Sequence, residues 1–256
     1  MIWVIWAFAI GLCFGSFANV LVYRLPRKIS IILPSSACAD CKTAIAPYDL
    51  LPIISWLILK GRCRRCSGAI SPRYPLVEMT CGLLFAGMVL FTPTLSAMPL
   101  SLFAFALLVV ALIDRDTREI PDSLLIFAVV MGLGWVVAGH FSNRFPLSPD
   151  FINAGLGILA GGLPLLIIDR LVLIFYKKDG FGYGDVKLMA VSGIFLGWQM
   201  IIVAFICAFL AGGIYAAFLL VTGKAKRGEY IAFGPFLCTG VIIALWFGQA
   251  FWSFYI

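Results

Sequence analysis

Charge is scarce in this 256-residue chain. Asp, Glu, Lys and Arg make up 12% of it and hydrophobic residues 62%, whereas soluble domains carry about twice that charged fraction. That balance excludes an ordinary soluble domain. Histidine is scarcer still, with one residue, His140. It is predicted on the opposite side of the membrane from the acidic clusters described below, so His-dependent triads and His-ligated metals are poor fits. The first residues, MIWVIWAFAIGLCFGSF, lack both a basic leader region and a clear small-residue cleavage site. They read as a retained first span rather than a cleaved signal peptide.

What the chain has instead is long apolar runs, which recur along most of its length and reach spanning size. The sequence predicts an all-α, polytopic membrane protein with about eight transmembrane helices. The expected segments are 2–22, 74–95, 98–113, 123–139, 151–176, 186–196, 200–222 and 231–251. The fifth is interrupted by Pro164 and Asp169-Arg170, and the sixth turns at Gly197-Trp198-Gln199. Residues 23–73 differ in kind. They are more polar, carry basic residues and two cysteine pairs, and form the one stretch suited to a small extramembrane domain inserted after the first helix. Within it, Leu51 to Leu59 is too short to span, so it packs on that domain or lies in the interface. Residues 74–256 form the helical membrane domain.

The net charge is +7, and its distribution is topological. With eight alternating segments, seventeen of the nineteen Lys and Arg residues fall on one side or at its membrane edge; Arg144 lies opposite and Arg170 within a span. The positive-inside rule makes that side the cytoplasm and places both termini outside. The excess needs no nucleic-acid partner. The cysteine domain, Asp114 to Asp122, the loop before Asp185 and GKAKRGEY all fall on the cytoplasmic side.

Eight cysteines divide into two sets. Cys13, Cys81, Cys207 and Cys238 lie in apolar runs and read as small buried packing residues. Cys38, Cys41, Cys63 and Cys66 form two C-x2-C knuckles 21 residues apart. Two such knuckles place four thiolates around a structural Zn(II), with no open position for catalysis. Arg62, Arg64 and Arg65 are placed to offset the thiolate charge. The alternatives are two disulfides or free thiols, and a reducing cytoplasm argues against the disulfides.

Two acidic stretches stand at the ends of apolar runs. The first, IDRDTREIPD, holds Asp114, Asp116, Glu119 and Asp122. Most such clusters are solvated loops, and Asp122 after Pro121 suits a helix start. Asp114 directly follows the apolar ALI and belongs at the membrane edge. The second, DGFGYGDVKLM from Asp179 to Met189, holds Asp185 just after Gly182-Tyr183-Gly184. A helix start explains an Asp there, but not two spaced glycines that let another backbone approach. Lys187 reads as a snorkelling lysine that would favour an ionised Asp185 if aimed at it. Two carboxylates close together in a partly dry site share one proton. The ionised one takes a proton from water, and the protonated one polarises the peptide carbonyl and assists the leaving amine. This chemistry needs no metal.

GYGD together with the upstream IDxDxxxIPD resembles the bacterial type IV prepilin peptidases of the GxGD membrane aspartyl proteases. The likeness extends to Gly15 to Val20 (GSFANV) with Tyr23 to Pro26, to the paired C-x2-C motifs, Ser55-Trp56-Leu57, Ser71 to Glu78 (SPRYPLVE), and Phe233 to Phe236 (FGPF), in order. The first knuckle departs, reading CADC where many members have Pro after the first Cys. The resemblance implies a bifunctional enzyme of the bacterial inner membrane. It would cleave leaders of prepilins or type II secretion pseudopilins at the cytoplasmic face, then N-methylate the new N-terminus with S-adenosylmethionine. It implies Asp114 and Asp185 as the catalytic pair within 114–189, Gly182 and Gly184 as the active-site loop, and the four cysteines as the zinc site. Glu78 and Gly82 are the methyltransferase candidates. Membrane lipid and the prepilin are the expected partners; the sequence does not set the oligomeric state.

Other classes compete. A transporter would use Pro164 and Asp169-Arg170 as a broken helix lining a pathway, but no inverted repeat is visible and a zinc domain has no evident role there. A structural subunit of a secretion apparatus leaves the carboxylate pair unexplained. A peptidase without methyltransferase activity is the nearest variant. In the peptidase reading, the basic leader of the substrate meets Asp116, Glu119 or Asp122. Charge reversal of these three is expected to raise KM more than it lowers kcat in a prepilin cleavage assay, and an unchanged KM would count against that contact.

Overall fold

In the computed structural model of the protein, the described residues are 1–92, 94–142, 145, 147–177, 182–223 and 232–255. Asp179 to Phe181, Arg144 and most of GKAKRGEY lie outside them. Among the described residues eight α-helices follow one another: α1 (Ile2–Arg24), α2 (Ile54–Ile58), α3 (Arg73–Phe91), α4 (Thr94–Thr117), α5 (Asp122–Phe141), α6 (Phe151–Tyr176), α7 (Tyr183–Val221) and α8 (Gly234–Tyr255). Among the described residues, all but α2 are long and apolar enough to cross a membrane, giving seven spans. The protein is a multi-pass membrane protein. The sixth and seventh expected segments are joined in α7, which breaks at Gly197 (φ 71°, ψ 176°). The fifth segment is not interrupted: Pro164 sits inside a continuous α6.

The chain divides into two compact units, residues 1–109 and 110–256. In the first, α1 lies against α3 through small residues. A Cβ at Gly11 would stand 2.8 Å from the Cys81 carbonyl oxygen, and one at Gly15 would stand 2.5 Å from Glu78 Cα. Gly82 lies under Leu12 and Phe8 of α1. Membrane helices associate through this kind of close approach, because lipid gives them no hydrophobic drive to do so. Asn19 adds a polar tie, its side chain donating to the carbonyls of Gly15 (3.2 Å) and Tyr74 (3.3 Å). Phe14 packs on Phe85 and Phe105, both at 5.2 Å between ring centroids.

The cysteine region of this unit contains no extended sheet, only two isolated antiparallel bridges, Ala37 to Ala44 and Arg62 to Ala69. Each closes one knuckle at the same offset from its first cysteine. Lys42 and Ser67 take the same left-handed position within them (φ 57° and 59°). The segment 51–59 forms the short α2, whose Ile54, Leu57 and Ile58 are exposed. Trp56 anchors it by donating to the Ile70 carbonyl at 3.1 Å.

In the second unit α6 runs antiparallel to the first half of α7. A Cβ at Gly193 would fall 2.0 Å from the Gly157 carbonyl oxygen, and one at Gly161 would fall 2.2 Å from that of Met189. Asn153, near the start of α6, faces Gly197 and accepts the Trp198 N–H at 3.3 Å. The second half of α7 runs antiparallel to α8, with Gly212 against Phe233 and Phe236, Ala204 and Ala208 against Gly240, and Met200 against Gly248. Gly234 at the start of α8 touches Asp114, which lies within electrostatic range of Asp185. Residues 185 and 212 therefore lie at the same end of the unit. A straight helix would separate them by about 40 Å. So α7 folds back at Gly197 as a helical hairpin, and its two halves are the expected sixth and seventh segments.

The outward-facing cysteines depart from expectation. Cys81 and Cys238 are buried, but Cys13 is exposed and Cys207 partly so. A thiol at such a position behaves as a small apolar group whether or not it is buried.

The glycines make opposite predictions. Gly193→Ala forces backbone atoms apart and is expected to lower the unfolding midpoint in detergent by several degrees. Gly213, with nothing within 4 Å of a would-be Cβ, tolerates the same change. There Ala gains about 0.5–1 kcal/mol of helix preference, so Gly213→Ala is expected to leave the midpoint unchanged or raised. Thermal unfolding of both variants checks the contrast.

Candidate active site

Asp114 lies in the last turn of α4. That helix closes through Arg118, which adopts φ 59° and donates its N–H to the Asp114 carbonyl at 2.8 Å. The Asp114 side chain is buried at 6% exposure, whereas Asp116, Glu119 and Asp122 are exposed. Burial separates it from its acidic neighbours. Its Oδ2 accepts the Gly234 N–H at 3.1 Å. A Cβ on residue 234 would stand 2.6 Å from that oxygen, so only glycine brings the N–H close enough.

Asp185 is buried to the same degree, at 5% exposure. Gly182 is the N-cap of α7 in extended conformation (φ −68°, ψ 141°). Asp185 therefore occupies the third helical position, and its Oδ2 turns back to within 3.5 Å of a Cβ position on Gly182. This is where the reach-back residue of a capping box stands. The helix-start reading of Asp185 is met, and the residue is also brought to Asp114.

Several contacts join the two acidic stretches. A Cβ at Gly184 would lie 3.0 Å from Ile120 Cβ, so the missing side chain lets the start of α7 seat against the turn after α4. Lys187 Nζ donates to Asp122 Oδ1 at 2.8 Å, both side chains exposed. This corrects the conditional reading of Lys187: its partner is Asp122, not Asp185. Asp122 begins α5, as its place after Pro121 implies. Arg170 donates to the Tyr183 hydroxyl at 2.7 Å, with its guanidinium 5.9 Å from that ring. It tethers the glycine loop from α6. Cys238, one turn beyond Gly234, is buried at 1% exposure and within electrostatic range of both aspartates.

The four knuckle cysteines form a second constellation. Their sulfurs all lie within 4.8 Å of one another, and Cys38 and Cys66 Sγ stand 3.8 Å apart. A tetrahedral site with metal–sulfur bonds of about 2.3 Å has an edge of about 3.8 Å. The knuckles also supply thiolate donors. Thr43, through its hydroxyl and its N–H, holds the Cys41 thiol down to about 6. The N–H groups of Cys66 and Arg65 lower that of Cys63. The donor set and its spacing fit zinc. Arg64 departs from expectation, because it is committed to Asp49 through paired hydrogen bonds of 2.7 and 2.9 Å. It holds the Asp49 carboxyl below its usual range.

Glu78 and Gly82 lie one turn apart on α3. Glu78 is buried at 7% exposure; its Oε2 accepts the Ile53 N–H at 2.7 Å, and the Ser16 hydroxyl lies near the same carboxylate. Gly82 serves the α1–α3 contact. Sequence reasoning missed Gly234, Ser16 and Ile53. The motifs FGPF and GSFANV were visible, but a backbone N–H and a lone hydroxyl leave no chemical signature in a sequence.

Comparison with known proteins adds ancestry to this geometry. Residues 9–92 match the Bacterial Peptidase A24 N-terminal domain, and residues 101–217 match the Type IV leader peptidase family. No solved structure matches the chain. The chain is 36% identical to a prepilin leader peptidase/N-methyltransferase of Bacillus subtilis, over 97% of this chain and 96% of the relative. It is 35% identical to one of Pseudomonas aeruginosa, over 94% and 89%. It is 34% identical to one of Stutzerimonas stutzeri, over 99% and 93%. Two family models in sequence and near-full-length likeness to relatives of one name establish that the chain belongs to the type IV leader peptidase family.

Proposed function

We propose that the chain is a membrane aspartyl endopeptidase that removes the leader of prepilins or pseudopilins and then N-methylates the new N-terminus. The observation that carries the peptidase is the placing of two buried aspartates, from distant stretches, within electrostatic range of each other. Residues 114–189 carry this site, with Gly182 and Gly184 as its loop.

One carboxylate of the pair, ionised, takes a proton from water as the oxygen attacks the scissile carbonyl. The other, protonated, donates to the carbonyl oxygen and the pair returns a proton to the leaving amine. The Gly234 N–H orients the Asp114 carboxylate, and Gly182 leaves room for that of Asp185 to turn back. The N–H adds a hydrogen bond without adding charge, which supports a pair that shares one proton. Gly184 lets Ile120 close one side of the site.

Residues 23–73 form a zinc domain held by Cys38, Cys41, Cys63 and Cys66. Zinc there is structural, tying two knuckles of equal geometry across a 21-residue gap. S-adenosylmethionine supplies an electrophilic methyl group for the second activity, and Glu78 and Gly82 are the candidate residues of that activity. The distribution of Lys and Arg supports a cytoplasmic active site in a bacterial inner membrane, with both termini periplasmic.

Asp114→Asn and Asp185→Asn are each expected to lower prepilin cleavage by at least about a thousandfold, with the unfolding midpoint retained. If Asp114→Asn still cleaves, the partner of Asp185 is Asp116 or Asp122. If both variants cleave, the aspartyl mechanism fails. Metal analysis of the purified chain is expected to find one zinc per chain. Cys63→Ser is expected to abolish that zinc and to make residues 23–73 protease-sensitive.

A further inference from the structure

The peptidase mechanism leaves a buried carboxylate and a strained turn unused, and the two are bonded to each other. Ile53 adopts φ 60° and ψ −49°, and the Ile54 N–H closes on the Pro52 carbonyl across it. That is a γ-turn of the strained hand, and for a β-branched residue a positive φ is a true outlier. Such strain persists only where surrounding contacts over-determine it, and it gathers at functional sites. Here the determining contact is the Ile53 N–H to Glu78 Oε2, at 2.7 Å.

Glu78 accepts one hydrogen bond, from the Ile53 N–H, and the Ser16 hydroxyl lies near the same carboxylate. Among the described residues no cationic side chain pairs with it. A carboxylate has about four acceptor positions, and the Ile53 N–H takes one of them. Three otherwise unrelated stretches build the spot: Ser16 from α1, the turn before α2, and α3. Gly15 sits against Glu78 Cα where a side chain would block the approach. A carboxylate taken out of water with a hydrogen bond but no countercharge is a receptor for a small cation.

We propose that Glu78 is the amine-binding residue of the methylation reaction: it receives the α-ammonium group of the cleaved product and takes its proton. This rests on the second activity proposed above. The ammonium N–H bond breaks and the proton passes to a Glu78 oxygen. The freed nitrogen lone pair then forms the N–C bond as the methyl carbon–sulfur bond breaks, its electron pair remaining on sulfur. Water later removes the proton from Glu78. Ile53 and Ser16 are positioning residues that fix the carboxylate.

The test uses the full chain in detergent and two short apolar peptides beginning with Phe, one with a free α-amine and one N-acetylated. Titration calorimetry without a methyl donor measures the preference for the free amine. Wild type is expected to bind the free-amine peptide about tenfold or more tightly, the worth of a charge-assisted hydrogen bond. Glu78→Gln is expected to abolish that preference, and Ser16→Ala, which keeps the carboxylate, is expected to retain part of it. Equal binding of the two peptides by wild type overturns the proposal, as does a preference that survives in Glu78→Gln. The same preparations are given a prepilin and a methyl donor, and the product N-terminus is weighed. Wild type that cleaves but adds no methyl refutes the second activity and the inference with it. Wild type that adds a methyl, with Glu78→Gln adding it equally well, refutes the inference alone.

Discussion

Two carboxylates buried in a membrane protein need neighbours that bring neither bulk nor charge, and Gly234, whose N–H bonds Asp114, and Gly182, which lies against Asp185 Oδ2, meet that need. A buried acidic group without a partner is costly. A lysine or arginine partner would satisfy each carboxylate, but it would also remove the reason for the pair to share a proton. The neutral donor is therefore the constraint from which the local architecture follows. Gly234 is glycine because Asp114 Oδ2 occupies the space of its side chain. The start of α8 must then reach the end of α4. The second half of α7 must return to the same level, and Gly197 makes that return. The cationic Lys187 is drawn off to Asp122, and Arg170 to the Tyr183 hydroxyl, while the Arg118 charge acts on the Asp114 carboxylate through space.

The sequence made some of this plain and hid the rest, for physical reasons. The spacing of Cys38, Cys41, Cys63 and Cys66 foretold a four-sulfur cluster because each knuckle is local, closed by bonds between residues a few positions apart. Asp114 stood out from Asp116, Glu119 and Asp122 because it directly follows an apolar run, and burial follows from that. The turn at Gly197 was legible as punctuation between two apolar segments. That the turn folds the helix back was not, since it depends on which helix packs against each half. Lys187 was near Asp185 in sequence, yet its partner lies in another stretch. Pro164 read as an interruption, but α6 continues through it, as membrane helices often do when neighbours re-satisfy the freed carbonyl.

The first unit repeats the same economy with different parts. Gly11 and Gly15 bring α1 onto α3 until backbone meets backbone. That approach brings the Ser16 hydroxyl to Glu78. The strained turn at Ile53 completes the enclosure with another bare N–H. In both units a buried carboxylate accepts a peptide N–H and is approached closely by neighbours that lack side chains.

The hairpin in α7 also has a consequence for the depth of the site. Its first half, residues 183–196, is roughly 20 Å long, while the hydrocarbon core of a bilayer is about 30 Å thick. At the tip, Trp198 packs edge-on against Trp252 at 5.6 Å, and indole rings favour the headgroup boundary. The second half, residues 198–221, leaves the same turn and is roughly 36 Å long. The first half therefore ends well short of the second. The glycine loop that begins it is set back from the end of its neighbour, at a depth that a full-length span would pass through.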